Sequence, residues 1–181
     1  MYLGDGAWQV RTQGSKPLTI KAPAISLRPL PPFSRWGVSF AFLQGVEKEL
    51  GPSLEGKTTA EANELVFKPL MAGARSSMCD ALVRLGAADD AGRPYAAPAT
   101  VFLSHAWRYP FSQLLEAVGA FVAAQPEPEQ VYVWLDVLTV NQHAGGEALP
   151  QAWWATAFKQ GICAIEHTCL VLAPWRTPIP R

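Results

Sequence analysis

Thr100-Val101-Phe102-Leu103-Ser104, Val131-Tyr132-Val133-Trp134-Leu135-Asp136 and Thr168-Cys169-Leu170-Val171-Leu172-Ala173 are three short, nearly continuous apolar runs. Such runs are expected of strands covered on both faces. Between the first two, Pro110 opens a segment in which Phe111, Leu114, Leu115, Val118, Phe121 and Val122 fall on one helical face. Between the second and third, Pro150 opens another, with Trp154, Ala157, Phe158, Gly161, Ile162 and Ile165 on one face. Strand, helix, strand, helix, strand implies parallel pairing through right-handed crossovers. The expected class is α/β, a parallel sheet flanked by helices. Arg181 follows Ala173 by only eight residues, so this sheet is expected to be incomplete at its C-terminal side.

Working back from residue 99, residues 87 to 98, with Gly92, Pro94 and Pro98, read as a linker. Before it, Leu70, Met71, Ala74, Met78, Ala81, Leu82 and Leu85 repeat as one helical face that stops at Gly86, and Pro69 should break or restart the helix begun at Thr58. Thr58 and Glu61 have the spacing of a capping box. An earlier helix is expected from Trp36, with Phe42, Leu43, Val46 and Leu50 on its face and Gly51-Pro52 as its end. Residues 1 to 35 contain Pro17, Pro23, Pro29, Pro31 and Pro32 and read as an extended arm. The division is therefore arm 1–35, helical lead-in and linker 36–98, and partial α/β domain 99–181.

Composition narrows the function classes. In 181 residues, 49% are apolar and 17% charged, which supplies a core, and fifteen basic residues balance fifteen acidic ones. A chain without net charge has no bulk attraction to nucleic acid or an anionic bilayer. No stretch approaches the ~20 apolar residues that span a membrane, and the first ten residues do not resemble a signal peptide. The reading is an intracellular, cytoplasmic protein with neither nucleic acid nor membrane as partner. Cys79, Cys163 and Cys169 form no CxxC and are read as reduced, buried thiols, with no metal site.

Gly51-Pro52-Ser53-Leu54-Glu55-Gly56-Lys57-Thr58 matches the phosphate loop G-x-x-x-x-G-K-[ST], and Val131 to Asp136 resembles a strand ending in a magnesium-ligating Asp. A nucleotide binder through residues 51–58 is thus a minor alternative. The mechanism needs a buried strand before the first Gly, so that amides at the next helix start converge on phosphate. Val46-Glu47-Lys48-Glu49-Leu50 stands there instead and continues a helical face.

In open parallel sheets, ligands collect beyond the carboxyl ends of the strands. Ser104-His105-Ala106-Trp107-Arg108, Asp136 with Asn141-Gln142-His143, and Pro174-Trp175-Arg176 lie there. Indole faces beside arginines could stack a ring. Trp134 and Trp154 also read as core, His167 as a structural group, and Asp136 as a turn cap. A Ser-His-Asp triad cannot be argued from chain order.

Ala99 to Trp107, Val133-Trp134-Leu135-Asp136 with Asn141-Gln142-His143, Trp153-Trp154 with Phe158, Ile165 and His167-Thr168, and Val171 to Trp175 with Pro178-Ile179-Pro180 together resemble a TIR-like (Toll/interleukin-1 receptor homology) domain of the type found in large algal and protist proteins. Trp36-Gly37-Val38 and Leu54 to Thr59 resemble the lead-in of those proteins, so the resemblance spans about residues 36–181. It implies a flavodoxin-like sheet, a self-association loop at 137–149, and a role in signalling assemblies or as a scaffold. Some TIR domains cleave NAD at the nicotinamide glycosidic bond. On that analogy Ser104, His105, Trp107, Arg108, Asp136, Asn141 and Trp154 would border the nucleotide, with NAD as ligand or substrate and no cofactor required.

The family's catalytic glutamate lies on the helix after the third strand, which here would fall just past Pro180. Glu166 precedes that strand and is no positional substitute. The expectation is a protein-interaction and assembly module that docks to other chains or to itself and is not catalytic as given. The alternative is an NAD+ hydrolase when completed by sequence beyond residue 181.

Overall fold

The computed structural model describes residues 7–10, 18–21, 34–143 and 151–172. In the arm, β1 (Ala7–Val10) and β2 (Leu18–Lys21) pair antiparallel as a two-stranded ribbon, where only extended chain was expected. The remainder of the arm, and Pro150, lie outside the described residues.

The helix expected from Trp36 begins four residues later. Trp36–Ser39 is a strand, β3, and α1 (Phe40–Leu54) follows, with Ser39 Oγ accepting from the Phe42 amide at 3.2 Å. Gly37 explains the difference. A Cβ at this position would stand 2.9 Å from the backbone of Tyr132 and Val133, so the residue marks a close approach of two strands rather than a helix start. Gly51-Pro52 does not end α1, which continues to Leu54. The carbonyl that Pro52 leaves without a partner is that of Lys48, among exposed residues, while buried Leu54 holds the last turn down.

Thr58 caps α2 (Thr59–Ala62) through the expected capping box. Pro69 does not break the helix but stands at its restart: Asn63–Phe67 widens into a π turn, and α3 (Lys68–Met71) resumes α-helix with Pro69 in its first turn. In a regular α-helix the Pro69 ring would meet the Leu65 carbonyl four residues back. The wide turn, closed by Lys68 N–H on the Asn63 carbonyl, relieves that conflict and places Pro69 near the start of α3. The single face expected from Leu70 to Leu85 is interrupted at 72–77. A new helix, α4 (Met78–Leu85), starts with Ser77 Oγ accepting from the Asp80 amide at 3.0 Å and ends on Gly86 in the left-handed region, φ 57°.

Part of the expected linker is a strand, β4 (Ala96–Pro98). The three apolar runs then supply β5 (Val101–Ser104), β6 (Tyr132–Trp134) and β7 (Thr168–Leu170), with α5 (Phe111–Ala123) after the first. Asp136–Thr139 is a short helix, α6, rather than the start of an open loop, and α7 (Gln151–Ile165) leads into β7. The sheet order is β4-β3-β6-β5-β7. β5 pairs parallel with β6 and β7, whereas β3 runs antiparallel to both its neighbours, so four strands point one way and β3 opposes them. The protein is α/β with an open, mixed sheet flanked by helices, and residues 36–98, read as a helical lead-in and linker, contribute two of the five strands.

The chain leaves β5 in one direction to reach β6 and then crosses back to its other side for β7. Right-handed crossovers in opposite directions put their helices on opposite faces. Val101 and Leu103 accordingly join the cluster containing Leu114, Leu115 and Val118 of α5, and Phe102 joins the one containing Trp134, Val140 and Ile165. Phe102 and Trp134 stack with ring centroids 4.7 Å apart at 13°, and the buried Trp134 indole N–H donates to the Ser34 carbonyl at 2.8 Å. Trp134 is core, as expected.

Candidate functional site

β5, β6 and β7 point their carboxyl ends to one edge of the sheet, and most of the nominated residues gather there. Ser104 ends β5, buried, and its carbonyl accepts the Val171 amide at 2.9 Å. His105 follows it and is also buried. The loop then turns back: Trp107, half-buried, donates its indole N–H to Asp136 Oδ2 at 2.7 Å. Asp136 Oδ1 accepts the Val137 amide at 2.8 Å at the start of α6. The expected meeting of the first and second strand loops is therefore a direct bond between two nominated side chains. Arg108 is exposed on the same loop.

Asn141 is engaged on both sides of its amide. Its Nδ2 donates to the Arg75 carbonyl at 2.9 Å and its Oδ1 accepts the His143 amide at 2.9 Å. Arg75 has φ 46°, a left-handed conformation held where the chain turns between α3 and α4. His143 Nε2 lies 2.9 Å from the Lys68 carbonyl and must carry the hydrogen there. Gln142 Nε2 donates to the Asp136 and Val140 carbonyls, both at 3.3 Å. These bonds tie α6 and the residues after it to the helix carrying Pro69. The Trp154 side chain, the rest of the expected loop at 144–150, and the Pro174-Trp175-Arg176 cluster lie outside the described residues. Val137 to Val140, the first part of the expected self-association loop, is buried.

The residues resembling a phosphate loop join α1 to α2, helix to helix. Thr59 N–H donates to the Tyr109 carbonyl at 2.9 Å, Ala60 N–H to the Trp107 carbonyl at 3.0 Å, and Thr58 N–H to Glu61 Oε2 at 2.9 Å. Within the motif, the Glu55 amide donates to the Gly51 carbonyl at 2.8 Å and the Lys57 amide to the Leu54 carbonyl at 3.1 Å, so these amides and that of Thr58 are occupied by protein acceptors, and the segment anchors the 105–110 loop. The Thr58 amide and hydroxyl, both donating to Glu61, hold its carboxyl below the usual range.

Asn63 carries no signal in the sequence and was not nominated, yet it is 1% exposed at the start of the π turn. Its Nδ2 reaches Glu64 Oε1 at 3.3 Å and Gln142 Oε1 at 3.5 Å, and its Oδ1 is buried with no partner among the described residues. Tyr109, 1% exposed, likewise carries no sequence signal, and its carbonyl accepts from the Thr59 amide at 2.9 Å. Only Cys79 is a fully buried thiol: Cys169 is half-buried and Cys163 is exposed, against the expectation for all three. Burial first, and Asp80 second, push the Cys79 thiol up to about 12. His167 is an exposed side chain whose residue serves the sheet through its backbone, the carbonyl accepting from the Phe102 amide at 2.8 Å.

Beside α5 and the outer side of β7 runs an open crevice of about 270 Å³ lined by Tyr109, Gln113, Leu114, Ala117 and residues of β7. Leu170 and Leu172 are 55% and 47% exposed at this end of the sheet. Among the described residues no group of three His, Cys, Asp or Glu side chains could hold a metal ion, and no helix is long and apolar enough to cross a membrane. No family model, no curated protein and no solved structure matches the chain.

Proposed function

We propose that the chain is an interaction and assembly module on a TIR-like, flavodoxin-like fold, one that docks other protein chains at the open side of its sheet and is not itself a catalyst. The observation that carries this reading is β7: an edge strand among the described residues, with Leu170 at its end and Leu172 just beyond it exposed. Solvent-facing apolar residues on an edge strand are a liability unless something covers them. The nominated pocket residues support the same reading, because Asp136 and Asn141 are held by their own chain. The spatial order of the three parallel strands, second, first, third, is the one flavodoxin-like sheets use. Purified chain should associate with itself or with a partner chain in light scattering. A well-folded, strictly monomeric protein in both scattering and calorimetry would end the reading.

A second reading, an NAD+ hydrolase, draws on the gathering of Ser104, His105, Trp107 and Asp136 where open sheets bind ligands. Asp136 is already bonded to Trp107 and Val137, so the carboxylate that stabilises charge on the departing ribose would come from outside the described residues. Incubating a longer version of the chain with NAD+ and following nicotinamide release tests it, and release at the uncatalysed rate refutes it.

A further inference from the structure

Asn63 is an amide on the core face of its helix. The buried positions from α2 to α3 follow the spacing of one amphipathic face, and the companions of Asn63 there are Thr59, Ala62, Val66, Phe67 and Met71. Gln142 fixes which way this amide points. Gln142 Nε2 donates to the Asp136 and Val140 carbonyls, both at 3.3 Å, so Oε1 is the group turned to Asn63, which answers with Nδ2 at 3.5 Å. Glu64 Oε1, an acceptor, takes the same Nδ2 at 3.3 Å. Turning either amide over would set acceptor against acceptor. Asn63 Oδ1 is therefore held as a buried acceptor to which no described residue donates. The hydroxyl one turn earlier is spent, Thr59 Oγ1 donating to the Tyr109 carbonyl at 3.3 Å. Buried side-chain oxygens in folded proteins have a donor in the large majority of cases.

We infer that Asn63 Oδ1 accepts from one internal water, which gives its second hydrogen to Gln142 Oε1 and so ties the π turn to the residues after α6. Both oxygens are acceptors, so the bridging molecule must be a double donor. At 1% exposure of Asn63 it must also be small. Water supplies two donors from a single atom. The reach is right as well: the oxygen and nitrogen of an amide stand ~2.3 Å apart, which puts Oδ1 within ~6 Å of Gln142 Oε1, the span of two water hydrogen bonds. Packing along this seam leaves spaces of the required size, since the cleft between α3, α4 and α6, lined in part by Phe67 and Gln142, has about 10 Å³. The direct Asn63–Gln142 contact of 3.5 Å is at the limit of a hydrogen bond, and the water turns it into a bridge. Through Gln142 the bridge reaches the Asp136 carbonyl, and through Asp136 the Trp107 indole, so the water belongs to the chain of bonds that fixes the carboxyl end of the sheet.

High-resolution crystals of the full chain should show one water about 2.5–3.0 Å from both Asn63 Oδ1 and Gln142 Oε1. In solution, a rotating-frame Overhauser experiment on ¹⁵N-labelled chain should give a cross-peak between the Asn63 side-chain amide and water, with the sign of dipolar contact and not of proton exchange. Asn63→Leu, close in volume, removes the acceptor and the water together and leaves Gln142 Oε1 unanswered. The folded-to-unfolded ratio in urea titrations should then fall about five- to thirtyfold. An Oδ1 with no donor predicts the opposite sign, because leucine would replace an unsatisfied buried oxygen and the ratio would rise. Where Asn63→Leu does not fold, the crystallographic and Overhauser measurements on the unaltered chain decide. A rise in the ratio, a protein donor on Oδ1, density too large for one oxygen, or no water at the site overturns the inference.

Discussion

Replacing Asp136 tests whether the edge of the sheet is held together as the bond geometry indicates. Its carboxylate accepts from the Trp107 indole at 2.7 Å and from the Val137 amide at 2.8 Å, and the residue is 4% exposed. A hydrogen bond to a charged group contributes about 1.5–3 kcal/mol, and a buried donor left without an acceptor costs a similar amount. In Asp136→Ala the Val137 amide is buried and bears the full cost, whereas half-buried Trp107 can turn its N–H to water and bears about half. The expected loss is about 3–4 kcal/mol, which for 181 residues is a drop of roughly 6–16 °C in Tm. Trp107→Phe removes only the donor, so the double mutant Asp136→Ala/Trp107→Phe should be less destabilised than the sum of the singles by about 1–2 kcal/mol. Urea titrations of the four proteins give this coupling. A coupling below about 0.5 kcal/mol, with both singles folded, would show that the indole bond is incidental and that the two loops are held by something else.

Gly37→Ala forces a methyl group to 2.9 Å from the β6 backbone, which cannot yield as a side chain could; a loss of about 2–3 kcal/mol in chemical denaturation, larger than for alanine at open Gly45, is expected. Thr58→Ala removes the cap of α2 and should cost about 1 kcal/mol by the same measurement. Glu61, its folded pKa depressed below the unfolded value, adds stability above the ordinary carboxylate range that disappears as pH falls through the folded pKa; Glu61→Gln should flatten the stability profile over that acidic window and not above pH 6. Iodoacetamide at pH 8 should modify exposed Cys163 in the native protein and reach Cys79 only on unfolding, since burial and a pKa of about 12 suppress its thiolate; mass spectrometry after timed quenching reads the order.

The three parallel strands were legible because strands buried on both faces are written as apolar runs, and Pro110 marked the start of α5. β3 and β4 were not. Trp36–Ser39 is four residues long and leads straight into a strong helical pattern, while Ala96–Pro98 carries small residues and a proline, the composition of a loop. What makes both of them strands is pairing across the chain, Val38 with Val133 and Gly37 with Ala97, which no local window contains. At the site, the rule that loops converge beyond the strand ends located Trp107 and Asp136 correctly as neighbours. It could not show that they bond each other. Asn63 was hidden because an Asn between Ala62 and Glu64 reads as an exposed helix position until the fold packs α6 against it.

β3 sits between β4 and β6, yet it leaves the ribosome long before β6 exists: Ser34 and Trp134, which bond through the indole N–H, are 100 residues apart. At about 5–20 residues per second, synthesis separates them by some 5–20 s. During that interval one side of β3 has no mate, and its neighbouring helix has no α5 to lean on. The newborn chain must therefore keep an adhesive ribbon waiting, which makes the stretch of synthesis between β3 and β6 the period in which a holding chaperone would matter most to this protein.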